Sequence, residues 1–263
     1  MPREAAASSQ SYISRPILTL PRHLASVASR FEEYRQHKGL AAIPGRVLQG
    51  IIQNLDWSFN LEDNNQIFPV LEQKSQEFWA LKAELDGLSS TDPEVNRLRE
   101  EGNRMLNLGC FHEAEELFME SKERNLSSFP QTSELALEAA RDAAISARIA
   151  KLRFNPMGYA QAAACYAEAD AICREVAATA SLGYRNLQAH SLYDLGMEFE
   201  DRGAVDASIE IWQQLLEDEA CEDARLRLAV ENSLGSALLQ MSRQDPGTTL
   251  LNEAVVALRA ALE

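Results

Sequence analysis

The stretch from Leu192 to Leu215 constrains the fold more than any other part of the chain. Its first half, Leu192-Tyr193-Asp194-Leu195-Gly196-Met197-Glu198-Phe199, puts large residues at 192, 195 and 199. That spacing predicts a helix with one apolar face. Gly196 brings no side chain to that face, which suits a point where a second backbone comes close. Asp201-Arg202-Gly203-Ala204-Val205 marks a tight turn. Beyond it Ser208, Trp212 and Leu215, four and three apart, line one face of a second helix. A helix pair this small cannot bury its outer apolar face alone, so it implies neighbours of the same kind.

Related spacing recurs in three other segments. In residues 94–124, Leu98, Gly102, Met105, Gly109, Phe111, Ala114, Phe118 and Ser121 repeat it, with Phe118 placed to fill the gap beside Gly102. In 133–177 a long helix from about Ser133 to Phe154 is broken at Asn155-Pro156-Met157-Gly158, and Tyr159 to Ala177 supplies its partner, with Ala162, Tyr166 and Ala169 on the inner face. Residues 187–217 contain the opening stretch. In 226–263, Leu234, Gly235 and Leu238 begin the pattern and Ala254, Leu258 and Ala261 end it. There Ser242 through Thr249 make the turn about seven residues longer than a repeat of this size needs.

These four segments resemble the tetratricopeptide repeat (TPR), a helix-turn-helix unit of about 34 residues. The first and third carry the pattern most fully. The fourth is similar to repeats of bacterial multi-repeat TPR proteins, through Asn232-Ser233-Leu234-Gly235-Ser236-Ala237-Leu238 and the run from Gly247-Thr248 to Ala261-Leu262-Glu263. The resemblance implies an all-α fold, a TPR-type α-solenoid whose units stack in a right-handed superhelix over residues 91–263. Ser242 replaces the turn glycine of the fourth unit, and no unit keeps the usual closing proline. With no polar capping helix after the fourth unit, the chain is expected to be truncated, or to self-associate through its uncapped C-terminal repeat.

The N-terminal third reads differently. Residues 1–22, small and polar with three prolines, are expected to be a flexible leader. Residues 23–90 form a helical segment without a repeat signature. Leu24, Val27, Phe31 and Tyr34 predict a helix from about His23 to His37, closed by Gly39. Pro44 sits in the first turn of a second helix, Pro44 to Leu55. Trp57 and Phe59 lock the following loop onto the helices, and a third helix runs from about Asn64 to Leu85. Asp63-Asn64-Asn65 resembles the start of a calcium loop but lacks its later glycine and closing glutamate. Gly87 to Pro93 is the boundary, with Asp92 as N-cap and Pro93 opening the next helix.

Charge and composition narrow the function classes. The net charge is −15, and it is uneven: residues 1–90 hold 9 Lys/Arg and 10 Asp/Glu, residues 91–263 hold 16 and 30. An acidic array repels phosphate, so nucleic acid is not an expected partner, and basic or neutral partners are favoured. No apolar run reaches the roughly 18–20 residues a membrane helix needs, and the N-terminus has no secretory pattern, so a cytoplasmic location is expected. Cysteines 110, 165, 173 and 221 form no C-x-x-C pair, and the four histidines are scattered. These patterns give no reason to expect a metal, a cofactor or catalysis. The acidic run Glu217-Asp218-Glu219 with Glu222-Asp223 reads as a solvated linker.

In TPR proteins the first helix of each unit lines a concave groove that holds an extended or helical peptide. The resemblance therefore marks Arg99, Asn103, Arg148, Lys151, His190, Asp194 and Asn232 as candidate groove residues. Arg99 and Asn103 match the first pair of a clamp that some members use for a peptide carboxylate, whereas Asp194 stands where that clamp has a cation. The expected function is a non-catalytic scaffold for a protein or peptide partner. The alternative is a regulatory or sensor module in bacterial signalling, with the N-terminal helices as the effector part.

Overall fold

The structure is a computed structural model that describes residues 20–56, 60–128, 132–218, 221, 223–244 and 248–261. Among these residues it is all-α, with eleven helices and no strand. In order they are α1 (Leu20–Lys38), α2 (Gly45–Asn54), α3 (Asn64–Leu85), α4 (Pro93–Asn107), α5 (Phe111–Ser127), α6 (Ser133–Leu152), α7 (Pro156–Cys173), α8 (Ala178–Glu198), α9 (Arg202–Glu217), α10 (Ala224–Gln244) and α11 (Thr248–Ala260). The expected leader, residues Trp57 and Phe59, and the acidic pair Glu219 and Glu222 lie wholly or largely outside the described residues.

Capping side chains set most of the helix starts. Asp63 accepts from the Asn65 amide at 2.9 Å to open α3, so the acidic cluster there serves as an N-cap. Asp92 does the same for α4 at 2.8 Å, with Pro93 in the first turn. Asn155 opens α7 through Gly158 at 2.7 Å, and Asp201 opens α9 through Ala204 at 3.1 Å. Each such cap contributes about 1 kcal/mol. Gly39 ends α1 at φ +66°, a backbone state that costs glycine nothing.

From α4 onward each helix packs on the next. The connectors α4–α5, α6–α7 and α8–α9 are three residues each, at 108–110, 153–155 and 199–201. Close contacts join the partners. A Cβ placed on Gly102 would lie 2.8 Å from the Phe118 ring, and one on Gly196 would lie 2.2 Å from a Val205 methyl and 2.8 Å from the Asp201 carbonyl.

Three boundaries differ from the sequence reading. Pro44 is the N-cap of α2 rather than part of its first turn. α8 begins at Ala178, nine residues before the expected 187, because its first turns continue the packing against α7 around Tyr184. α10 runs on to Gln244, through the Ser242 and Arg243 expected in the turn, and α11 begins at Thr248. Ser242 donates to the Leu239 carbonyl at 2.7 Å, inside the helix.

The core crosses the expected boundary at 87–93. One apolar cluster unites Phe31 of α1, Ile51 of α2 and Phe78 of α3 with Phe118, Ile149 and Tyr159. A second joins α8 to α11 around Trp212. α2 docks through its own backbone: Gly50 faces Gly109, which sits at φ +74° in the α4–α5 connector. At its C-terminal end the Asp56 amide donates to the Phe154 carbonyl at 3.2 Å, and Asn155 donates to the Asn54 carbonyl at 2.9 Å. α3 packs on α6, and its Lys82 reaches Asn103 of α4.

Candidate functional site

A cluster of polar contacts lies where α3 meets the repeat-like helices. α3 is amphipathic, with Leu71, Lys74, Phe78, Leu81 and Leu85 on its buried stripe. The apolar members are worth roughly 1.5–3 kcal/mol each when fully buried. The exception is Lys74, a cation in an apolar row, and its side chain has no exposed area.

Lys74 is met by groups from two directions. Its amine donates to Glu77 Oε2 at 2.8 Å and to the Tyr159 hydroxyl at 3.0 Å. It also lies 5.1 Å from the Phe154 ring centroid and 5.0 Å from that of Tyr159, within cation–π range. The aromatic side of this cage comes from the α6–α7 connector and the first turn of α7. Phe154, at φ +43° between α6 and α7, packs on Tyr159 at 5.8 Å and on Phe199 at 5.6 Å. Burial pushes the Lys74 amine below the ordinary lysine range, and the Glu77 carboxylate opposes that. Burial also holds the Tyr159 phenol protonated far into the alkaline range, so its oxygen accepts from lysine without ionising.

Next to the cage, Lys151 of α6 donates to Asp194 of α8 at 2.7 Å and lies 5.3 Å from the Tyr159 ring centroid. His190, one turn earlier on α8, stands edge-on to Trp212 at 5.2 Å, with its Nε2 3.4 Å from the Ser233 hydroxyl. Burial lowers the His190 pKa; Asp194 pulls it up and Lys151 pushes it down. Burial, reinforced by Asp194, raises that of Glu198.

Towards its C-terminal end α3 makes two more polar contacts. Lys82 donates to Asn103 Oδ1 of α4 at 2.6 Å, and Glu84 pairs with Arg148 of α6. Four of the seven expected groove residues thus lie under or beside α3: Asn103, Arg148, and the pair Lys151 and Asp194. Arg99 is placed elsewhere. It is 5 % exposed and makes a two-pronged ion pair with Asp142, at 2.8 and 2.9 Å, to which Ser121 adds a 2.7 Å hydrogen bond. This guanidinium ties α4, α5 and α6 together and is not presented to an open surface. Asn232 is exposed on α10, beside a depression of about 480 Å³ lined by Arg225, Leu228, Ala229, Leu258 and Ala261.

The sequence reading missed Lys74, Glu77, Phe154 and Tyr159. One signal was present: Lys74 falls three residues after Leu71 and four before Phe78, on the stripe that should be wholly apolar. Its partners sit some 80 residues away, at Phe154 and Tyr159, and no local pattern links them. No protein-family model, no curated protein and no solved structure matches the chain.

Proposed function

We propose that this chain is a non-catalytic interaction scaffold of the TPR type, an α-solenoid whose first helices α4, α6, α8 and α10 line a groove for a protein or peptide partner. The observation that carries this reading is that the α4–α6 face holds an amphipathic helix, α3, through residues at groove positions, Asn103 and Arg148. A face shaped for one helix is chemically suited to another. The cations beside it, Lys74 and Lys151, are each paired with a carboxylate. The acidic surface favours a basic or neutral partner.

The open continuation of that groove is the α10 stripe of Leu228, Ala229, Asn232 and Ser236, all exposed. Affinity capture from source-cell lysate with the wild-type chain and with Leu228→Asp and Asn232→Glu tests this. A reproducible partner set that is lost from either variant supports the reading. A set unchanged in both overturns it. The second reading, a regulatory or sensor module whose N-terminal helices are a separate effector part, loses support from the single core that joins α1–α3 to the later helices.

A further inference from the structure

We propose that the groove over α4, α6 and the α6–α7 connector is a recognition site for an amphipathic helix bearing an inward lysine, and that α3 is its tethered occupant, displaced when a partner helix of that pattern arrives. This rests on the scaffold reading above and names the partner's chemistry.

Three observations carry it. First, α3 meets the groove through a register of distinct contacts: Lys74 in the Phe154–Tyr159 cage, Lys82 on Asn103 and Glu84 on Arg148. Phe78, Leu81 and Leu85 fill the spaces between them. Second, an enclosed lysine is a poor way to gain stability. Burying a cation offsets most of what its partners return, and an apolar residue of similar size does as well or better. What the lysine adds is register, because a helix shifted by one turn would carry the amine, still beside Glu77, away from the Tyr159 hydroxyl and the two rings. Third, the contacts at the C-terminal end of α3 are semi-exposed, with Arg148 at 29 % and Glu84 at 40 %, so a competitor can begin there.

Tethering gives α3 an effective concentration on the order of millimolar, so a free helix enters only when α3 is weakened or when the competitor is the better ligand. The partner is therefore a helix with lysine at one position, apolar residues four, seven and eleven places on, and an acidic residue at the tenth, as in Lys74, Phe78, Leu81, Leu85 and Glu84.

The experiment uses the full chain and a labelled synthetic peptide of residues 62–88, followed by fluorescence anisotropy. Two variants loosen α3: Lys74→Glu, which puts a carboxylate in the cage beside Glu77, and Glu84→Arg, which opposes Arg148 at the exposed edge. The peptide is expected to bind each folded variant at least fivefold more tightly than it binds the wild-type chain. A peptide carrying Lys74→Gln should bind the variants at least fivefold more weakly than the native peptide. Should Lys74→Glu fail to fold by circular dichroism, Glu84→Arg decides. Equal binding to Glu84→Arg and wild type overturns the proposal, and equal affinity of the two peptides overturns the role of the amine. Either failure leaves the scaffold reading to its own capture test at Leu228 and Asn232.

Discussion

Single residues decide how closely the helices approach, and glycines show it most directly. At Gly196 a methyl group would meet the Val205 side chain at 2.2 Å and the Asp201 carbonyl at 2.8 Å. Valine is stiff and the backbone cannot step aside, so Gly196→Ala is expected to cost about 1–3 kcal/mol. Gly183 lies in the same helix with nothing within 4 Å of the same position. There the alanine only lowers the cost of helix formation, and Gly183→Ala should gain roughly 0.5–1 kcal/mol. Urea midpoints of the two variants should therefore move in opposite directions. The role of Gly196 was legible from the sequence, because a bare residue in the row Leu192, Leu195, Phe199 has few other uses. That of His190 was not. It was read as a groove residue, whereas burial against Trp212 lowers its pKa. A histidine held neutral in the fold takes up protons more readily once unfolded, so its contribution to stability falls as the pH drops below about 6.5. Between pH 7.5 and 5.5 the wild-type chain should lose more stability than His190→Gln, as read from denaturant midpoints at each pH.

At the scale of elements, α3 is the informative case. Its limits and its apolar stripe could be read from residues 64–85 alone, because periodicity is local. Its place across α4 and α6 could not, because that depends on a cage assembled from Phe154 and Tyr159, far along the chain. The same reasoning explains Arg99, which the resemblance marks as a groove residue and which the fold pairs with Asp142. Sequence patterns place a residue on a face of its helix but do not say what already covers that face. The cage makes an unequal pair of expectations. Tyr159→Phe removes one hydrogen-bond acceptor and leaves the buried amine in place, so it should cost about 1–3 kcal/mol. Lys74→Met removes the charge that needed the acceptor and fits a similar volume, so it should be close to neutral or stabilising. If both variants lose stability equally in thermal melts, the amine contributes more through its contacts than burial costs it.

Across the whole molecule, burial is uneven. The middle helices are dense in enclosed alanines, with Ala139, Ala143, Ala147 and Ala150 of α6 and Ala162 and Ala169 of α7 fully or almost fully covered. Small residues let these two helices approach closely, and little of either backbone faces water. α11 is the opposite: Leu251, Val255 and Val256 are all exposed, the last at 68 %. Hydrogen exchange under native conditions should follow this gradient, with α6 and α7 opening only on global unfolding and α11 by local fraying. Uniform protection from α4 to α11 would contradict it. The single core shared by the N-terminal helices and α4–α8 was not legible in the sequence, because Gly87 to Pro93 has every local mark of a boundary.

The enclosed amine of Lys74 also offers a chemical clock. Lowered by burial, it is more readily the free base than an ordinary lysine, yet no reagent can touch it while the helix stays seated. The chain has only five lysines, so acylation at each is simple to follow by peptide mass. Modification of Lys74 should lag far behind that of Lys38, and its rate should report how often the cage opens.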